Sequence, residues 1–79
     1  MTDAGYEAVK AELDIAIKKK ATCTLNEPIP VLVTLDNGIQ YKGVVYEVQP
    51  KSDNFPRGLV MVRAANADLG VPLTYIKGR

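Results

Sequence analysis

The chain has 79 residues, 47% of them hydrophobic and 24% charged, with a formal net charge of +1, one cysteine and no histidine. That length holds a single domain, the balance is too apolar for a disordered chain, and no apolar run approaches the roughly 18 residues of a membrane span. One cysteine and no histidine exclude an intrachain disulfide and Cys/His zinc sites, and they remove the usual acid–base residues. No Gly-rich phosphate loop is present either, so neither catalysis, a metal nor a cofactor is expected. The amino-terminal Met-Thr-Asp-Ala-Gly has no charged or apolar leader pattern, which gives the expectation of a cytoplasmic, non-secreted protein. A domain this small buries only about 60% of its unfolded surface, so association with further copies is the remaining source of stability.

In chain order, Tyr6, Val9, Leu13, Ala16 and Ile17 recur at three- and four-residue spacing and predict an amphipathic helix over about 3–20, capped by Thr2 or Asp3. Acids fall early and Lys18, Lys19 and Lys20 fall in the last turn, the favourable sense for the helix dipole, and Asp14 and Lys18 are placed to pair one turn apart. Pro28 and Pro30 then forbid helix and predict an extended lead-in. From Val31 the apolar period becomes two, predicting a strand over about 31–36. Asp36-Asn37-Gly38 predicts a hairpin turn into a second strand over about 39–49. That second run carries apolar residues on both faces, with Tyr41, Gly43 and Val45 on one and Val44, Tyr46 and Val48 on the other, the pattern of a bent strand whose interior glycine marks the bend. Lys51 to Gly58 is rich in turn residues and reads as a loop. Two further strands are predicted over about 59–64 and 71–77, the latter with Pro72 near a sheet edge. The fold class is therefore mainly β, with an N-terminal α-helix before a small, strongly bent antiparallel sheet or barrel spanning residues 1–79.

Several segments together resemble the Sm and Sm-like proteins, which form rings on RNA. Val31 to Gly38 is similar to the first strand and turn of that family, and Tyr41-Lys42-Gly43-Val44-Val45 to the hydrophobic-x-Gly-x-hydrophobic core of its first motif. Leu59 to Asn66 is similar to its third strand, and Tyr75-Ile76-Lys77-Gly78 to the opening of its second motif, with Lys for Arg. The chain departs from the pattern at Gln49, where the family places Asp, and in the longer loop 51–58. The four predicted strands also leave no clear fifth strand after Ile76-Lys77-Gly78. The resemblance implies a homo-oligomeric ring that binds single-stranded RNA, or DNA, and involves no membrane. The alternative is an architectural or adaptor module on the same small barrel that binds no nucleic acid.

Charge distribution adds to this. Residues 51–79 carry Lys51, Arg57, Arg63, Lys77 and Arg79 against Asp53 and Asp68, a net +3, while residues 21–50 carry −2. A near-neutral monomer holds a polyanion weakly, whereas a ring multiplies its basic segment. The candidate nucleic-acid-binding residues are Lys51, Asp53, Asn54, Phe55 and Arg57 in the loop, with Lys77, Gly78 and Arg79 at the carboxy end. Phe55 is either a stacking platform for a base or an apolar plug for its loop, and Arg57 and Lys51 are cations for phosphate. Asn54 and Asp53 are the nearest equivalents of the base-gripping Asn that the resemblance implies. Tyr41, Tyr46 and Tyr75 are expected in the core or at a subunit interface because each falls in a predicted strand.

Overall fold

The structure, a computed structural model, describes residues 4–51, 56, 58–65 and 67–78. Within them the chain forms α1 (Ala4–Lys19), β1 (Cys23–Thr34), β2 (Gln40–Gln49), β3 (Leu59–Ala64), β4 (Asp68–Val71), a 3-10 turn (Leu73–Tyr75) and β5 (Ile76–Gly78). All pairings are antiparallel and the strand order is β4-β3-β2-β1-β5. That order cannot lie flat. Four strand spacings of about 4.8 Å put the outer strands ~19 Å apart in a flat sheet. A single 3-10 turn with an extended residue at each end covers only ~13 Å. The sheet therefore curls strongly into a half-barrel that brings β4 and β5 towards each other. This is the mainly-β small-barrel plan expected from the sequence.

The curl is built into β2. Tyr46 has no partner in either ladder: the β1 pairing jumps from Glu47 to Val45 while β1 advances from Thr24 to Ile29, and the β3 pairing jumps between the same two β2 residues. Against β3, Tyr46 is thus a bulge, two β2 steps facing one of β3, whereas against β1 the extra residues, Leu25 to Pro28, lie on β1; a bulged residue shifts the side-chain alternation by one. Gly43 and Val45 face inward before it and Val48 faces inward after it, which explains the apolar residues on both faces of the sequence. The bend lies at Tyr46 and not at Gly43. Gly43 answers a different need, since a Cβ there would stand 2.7 Å from Val62 Cγ1 and 2.8 Å from the Arg63 carbonyl oxygen. Only glycine lets β3 approach so closely.

Val31, Val33, Val45, Val48, Val60 and Val62 are fully buried inside the curl, with Val71 and Ile76 from the two edge strands close behind. From α1 they receive Val9, Leu13 and Ala16, which lie at i, i+4 and i+7 on one stripe. Burying side chains of this size contributes about 1.5–3 kcal/mol each. Gly58, at φ +114°, opens β3 directly beneath Leu13, where a Cβ would meet Leu13 Cδ1 at 2.8 Å. The helix ends as a Schellman cap: the Ala21 N–H donates to the Ala16 carbonyl (3.2 Å) and the Lys20 N–H to the Ile17 carbonyl (3.3 Å). Lys20 occupies the left-handed position at φ 54° that glycine normally fills.

Four sequence expectations are corrected. Ile17 is 41% exposed, because it lies about 80° round from Val9, at the rim of the apolar stripe. Asp14 and Lys18 form no ion pair within 4.0 Å. The first strand starts at Cys23 and includes both prolines, and it does so where β1 has no β5 partner, since that ladder covers only Val31–Val33. The predicted strand over 71–77 is two strands on opposite sheet edges, so Ile76-Lys77-Gly78 is itself a fifth strand. The proposed caps Thr2 and Asp3 lie outside the described residues.

Candidate nucleic-acid interface

Of the residues singled out from the sequence, Asp53, Asn54, Phe55, Arg57 and Arg79 lie outside the described residues. Lys51 is exposed just beyond the end of β2. Lys77 is exposed on β5 and Gly78, beside it, is half-buried. The sheet register aligns Lys77 with Leu32 of β1, and Leu32 in turn with Lys42 of β2. Because Val31, Val33, Gly43 and Ile76 point inward, Lys77, Leu32 and Lys42 point outward and form one row across three strands. Lys51 does not join this row, since it lies past the opposite end of β2 from Lys42. Lys42 was not among the candidates from sequence. Only the register reveals it.

The next outward row runs Pro30, Val44, Arg63, Asp68. The Arg63 guanidinium carbon sits 4.6 Å from the centroid of the Tyr46 ring, and its Nε donates to Asp68 Oδ1 at 3.3 Å. With side chains 63% and 50% exposed, this ion pair adds little stability. Its effect is to hold the guanidinium over the ring of the bulged tyrosine. Further along, Gln49 Nε2 donates to Glu47 Oε2 at 3.1 Å.

The β1–β2 hairpin closes as the sequence predicts. Gly38 N–H donates to the Leu35 carbonyl and Leu35 N–H to the Ile39 carbonyl, both at 2.9 Å, and Asn37 Oδ1 accepts from the Ile39 N–H. The Tyr75 hydroxyl reaches across from the 3-10 turn to donate to Asp36 Oδ2 at 2.6 Å. That hydrogen bond first, then desolvation and the Asp36 charge, push the Tyr75 phenol above its ordinary value of 10.0. The three tyrosines, expected in the core or at a subunit interface, are placed differently from one another. Tyr75 packs half-buried against the core, Tyr46 lies on the outer face, and Tyr41 is 38% exposed.

Tyr41 nevertheless has inward parity, opposite the buried Val33. It stands at the hairpin end of the half-barrel and lines a groove of about 520 Å³ with Gln40, Lys42, Ala64, Ala65, Ala67 and Leu69. Lys42 is the one charged residue among the described residues of this lining. A second groove, of about 490 Å³, lies between α1 and the irregular start of β1 and is lined by Glu12, Glu27, Thr24, Leu25, Asn26 and Ile29. Its two carboxylates and lack of a described cation make it a poor seat for phosphate. Among the described residues no group of three or more His, Cys, Asp or Glu could hold a metal, Cys23 is a half-buried free thiol, and no helix is long and apolar enough to cross a membrane.

Compared with known proteins, the chain matches no family model, no curated protein and no solved structure.

Proposed function

We propose that this chain is a homo-oligomeric, Sm-like small barrel that binds single-stranded nucleic acid, RNA in the first place, as a binding protein and not an enzyme. The observation that carries the reading is the outward row Lys77–Leu32–Lys42, with Arg63 stacked on Tyr46 in the next row. Cations beside exposed aromatic and apolar side chains are what a single strand needs, the cations for phosphates and the flat groups for bases. Lys51, Asp53, Asn54, Phe55 and Arg57 of the β2–β3 loop and Arg79 after β5 extend this reading, on the sequence argument. Self-association is supported by β4, which pairs with β3 alone among the described strands and so offers a sheet edge to a neighbouring copy. Head-to-tail use of such an edge gives a ring when the rotation closes. Repetition around a ring raises the local positive charge well beyond the +1 of one chain.

Native mass spectrometry with and without oligo(U) tests this directly. The expected result is a multimer whose mass rises by bound oligonucleotide; a monomer at micromolar concentration that retains no oligonucleotide at low salt overturns it. A second reading, an architectural or adaptor oligomer without nucleic-acid binding, is favoured by one observation: Arg63 already holds Asp68 at 3.3 Å. A multimer that binds no RNA in a filter assay, yet retains protein partners after nuclease treatment, distinguishes it.

A further inference from the structure

We infer that the groove at the hairpin end of the half-barrel is a nucleotide subsite, taking one base against Tyr41 and the adjoining phosphate at Lys42. This rests on the nucleic-acid reading above and names the place where a strand is held. The groove's volume of about 520 Å³ falls within the roughly 300–1,000 Å³ of small-ligand sites. Its chemistry is that of a nucleotide. Tyr41 offers an aromatic ring that the fold leaves 38% exposed, and Ala64, Ala67 and Leu69 offer an apolar wall of small side chains against which a planar base and its sugar can lie. Gln40 spends its amide N–H on Thr34 Oγ1 at 3.3 Å, which leaves its carbonyl oxygen to accept from a base N–H.

Charge complementarity selects the occupant. Lys42 is the only charged group among the described lining residues of this groove, whereas the groove beside α1 carries Glu12 and Glu27. A phosphate is attracted to the first and repelled by the second. The register then supplies a path, because Lys77 lies two strands from Lys42, across Leu32, at about 10 Å. Tyr41 has inward and Lys42 outward parity, yet both line the groove, so it opens at the margin of the sheet, where a base can lie against Tyr41 while the next phosphates pass onto the outer row. Stacking reads the face of a base and not its edge, so the subsite tolerates every base.

The test is an amide NMR titration of the full chain with short oligo(U) and oligo(A) at low salt, together with affinities for Tyr41→Ala, Tyr41→Phe, Lys42→Gln and Lys77→Gln. Shifts should concentrate around Tyr41, Ala64 and Leu69. Tyr41→Ala should raise Kd at least about fivefold, the loss of one stacked base, and Tyr41→Phe should restore it. Each lysine substitution should lower the slope of log affinity against log salt by about 0.7. Binding whose affinity ignores Tyr41→Ala and whose shifts fall elsewhere overturns the subsite and leaves the nucleic-acid reading standing. A Tyr41→Ala chain with fewer subunits but unchanged affinity per site also overturns it, making the groove a contact between copies. Absence of binding by either oligonucleotide overturns the subsite and the nucleic-acid reading together.

Discussion

Up to the bulge at Tyr46 one alternation runs along β2, and its inward residues meet different fates. Beyond the hairpin, Tyr41, Gly43 and Val45 share one inward side, yet Val45 is fully buried while Tyr41 is 38% exposed. The difference is cover. Leu13 of α1 packs over the far end, against Gly58, and there the inward valines lose all contact with water. At the hairpin end the β2 side of the stripe is left partly open, although Val33 opposite Tyr41 is fully buried, and it continues into a groove. The comparison teaches that an inward pattern makes a core only where something covers it; where cover stops, the same pattern is a surface with affinity for a ligand or a partner.

The sharpest way to break that contrast is at the covered end. Leu13→Ala removes a side chain only 3% exposed and should cost about 2–5 kcal/mol in urea denaturation, where a loss under 1 kcal/mol would mean that the helix covers little. Next comes the joint between the two ends. Gly43→Val forces side-chain atoms into Val62 and the Arg63 carbonyl, with an expected loss of about 1–3 kcal/mol or more and a visible change in the β2–β3 amide signals.

The hairpin end gives smaller effects. Tyr75 bonds Asp36 there, and its phenol is held above 10.0. The neutral form is favoured in the folded state, so this contribution is fully present below pH 10 and is lost as pH rises through the raised value. Tyr75→Phe should therefore weaken the fold at neutral pH and flatten its stability loss above pH 10; an unchanged alkaline limb in pH-dependent melting contradicts the assignment. Smallest is Lys20→Gly, at the left-handed cap position, which should stabilise by about 0.5–1 kcal/mol, and a measured destabilisation would refute the cap geometry.

Helix, hairpin and β3 were legible because each rests on a local signal: a three-to-four spacing, an Asn-Gly turn, a short apolar alternation. What was illegible depends on partners distant in sequence. Pro28 and Pro30 argue against a strand in isolation, and β1 tolerates them only because β5 is absent beside that stretch. Val71 to Lys77 reads as one strand because nothing local says that its two ends belong to opposite edges; Pro72 and the 3-10 turn make the crossing. The bulge at Tyr46 left a trace, apolar residues on both faces of β2, but its position needed the two ladders. The site divides the same way. Lys77 was legible from the basic carboxy-terminal third, whereas Lys42 and Tyr41 gain their meaning from Ala64, Ala65, Ala67 and Leu69, which only the register brings alongside.

On the proposed reading, the covered end of the inward stripe supports the fold and the open end binds nucleic acid. Tyr41→Ala and Leu13→Ala, each measured for both unfolding free energy and oligonucleotide affinity, test it most directly. The expected result is a double dissociation: Leu13→Ala lowers stability and leaves the affinity of the folded fraction unchanged, while Tyr41→Ala changes stability by less than about 1 kcal/mol and weakens binding at least about fivefold. A Tyr41→Ala chain that loses as much stability as Leu13→Ala while binding as tightly as the parent would contradict it.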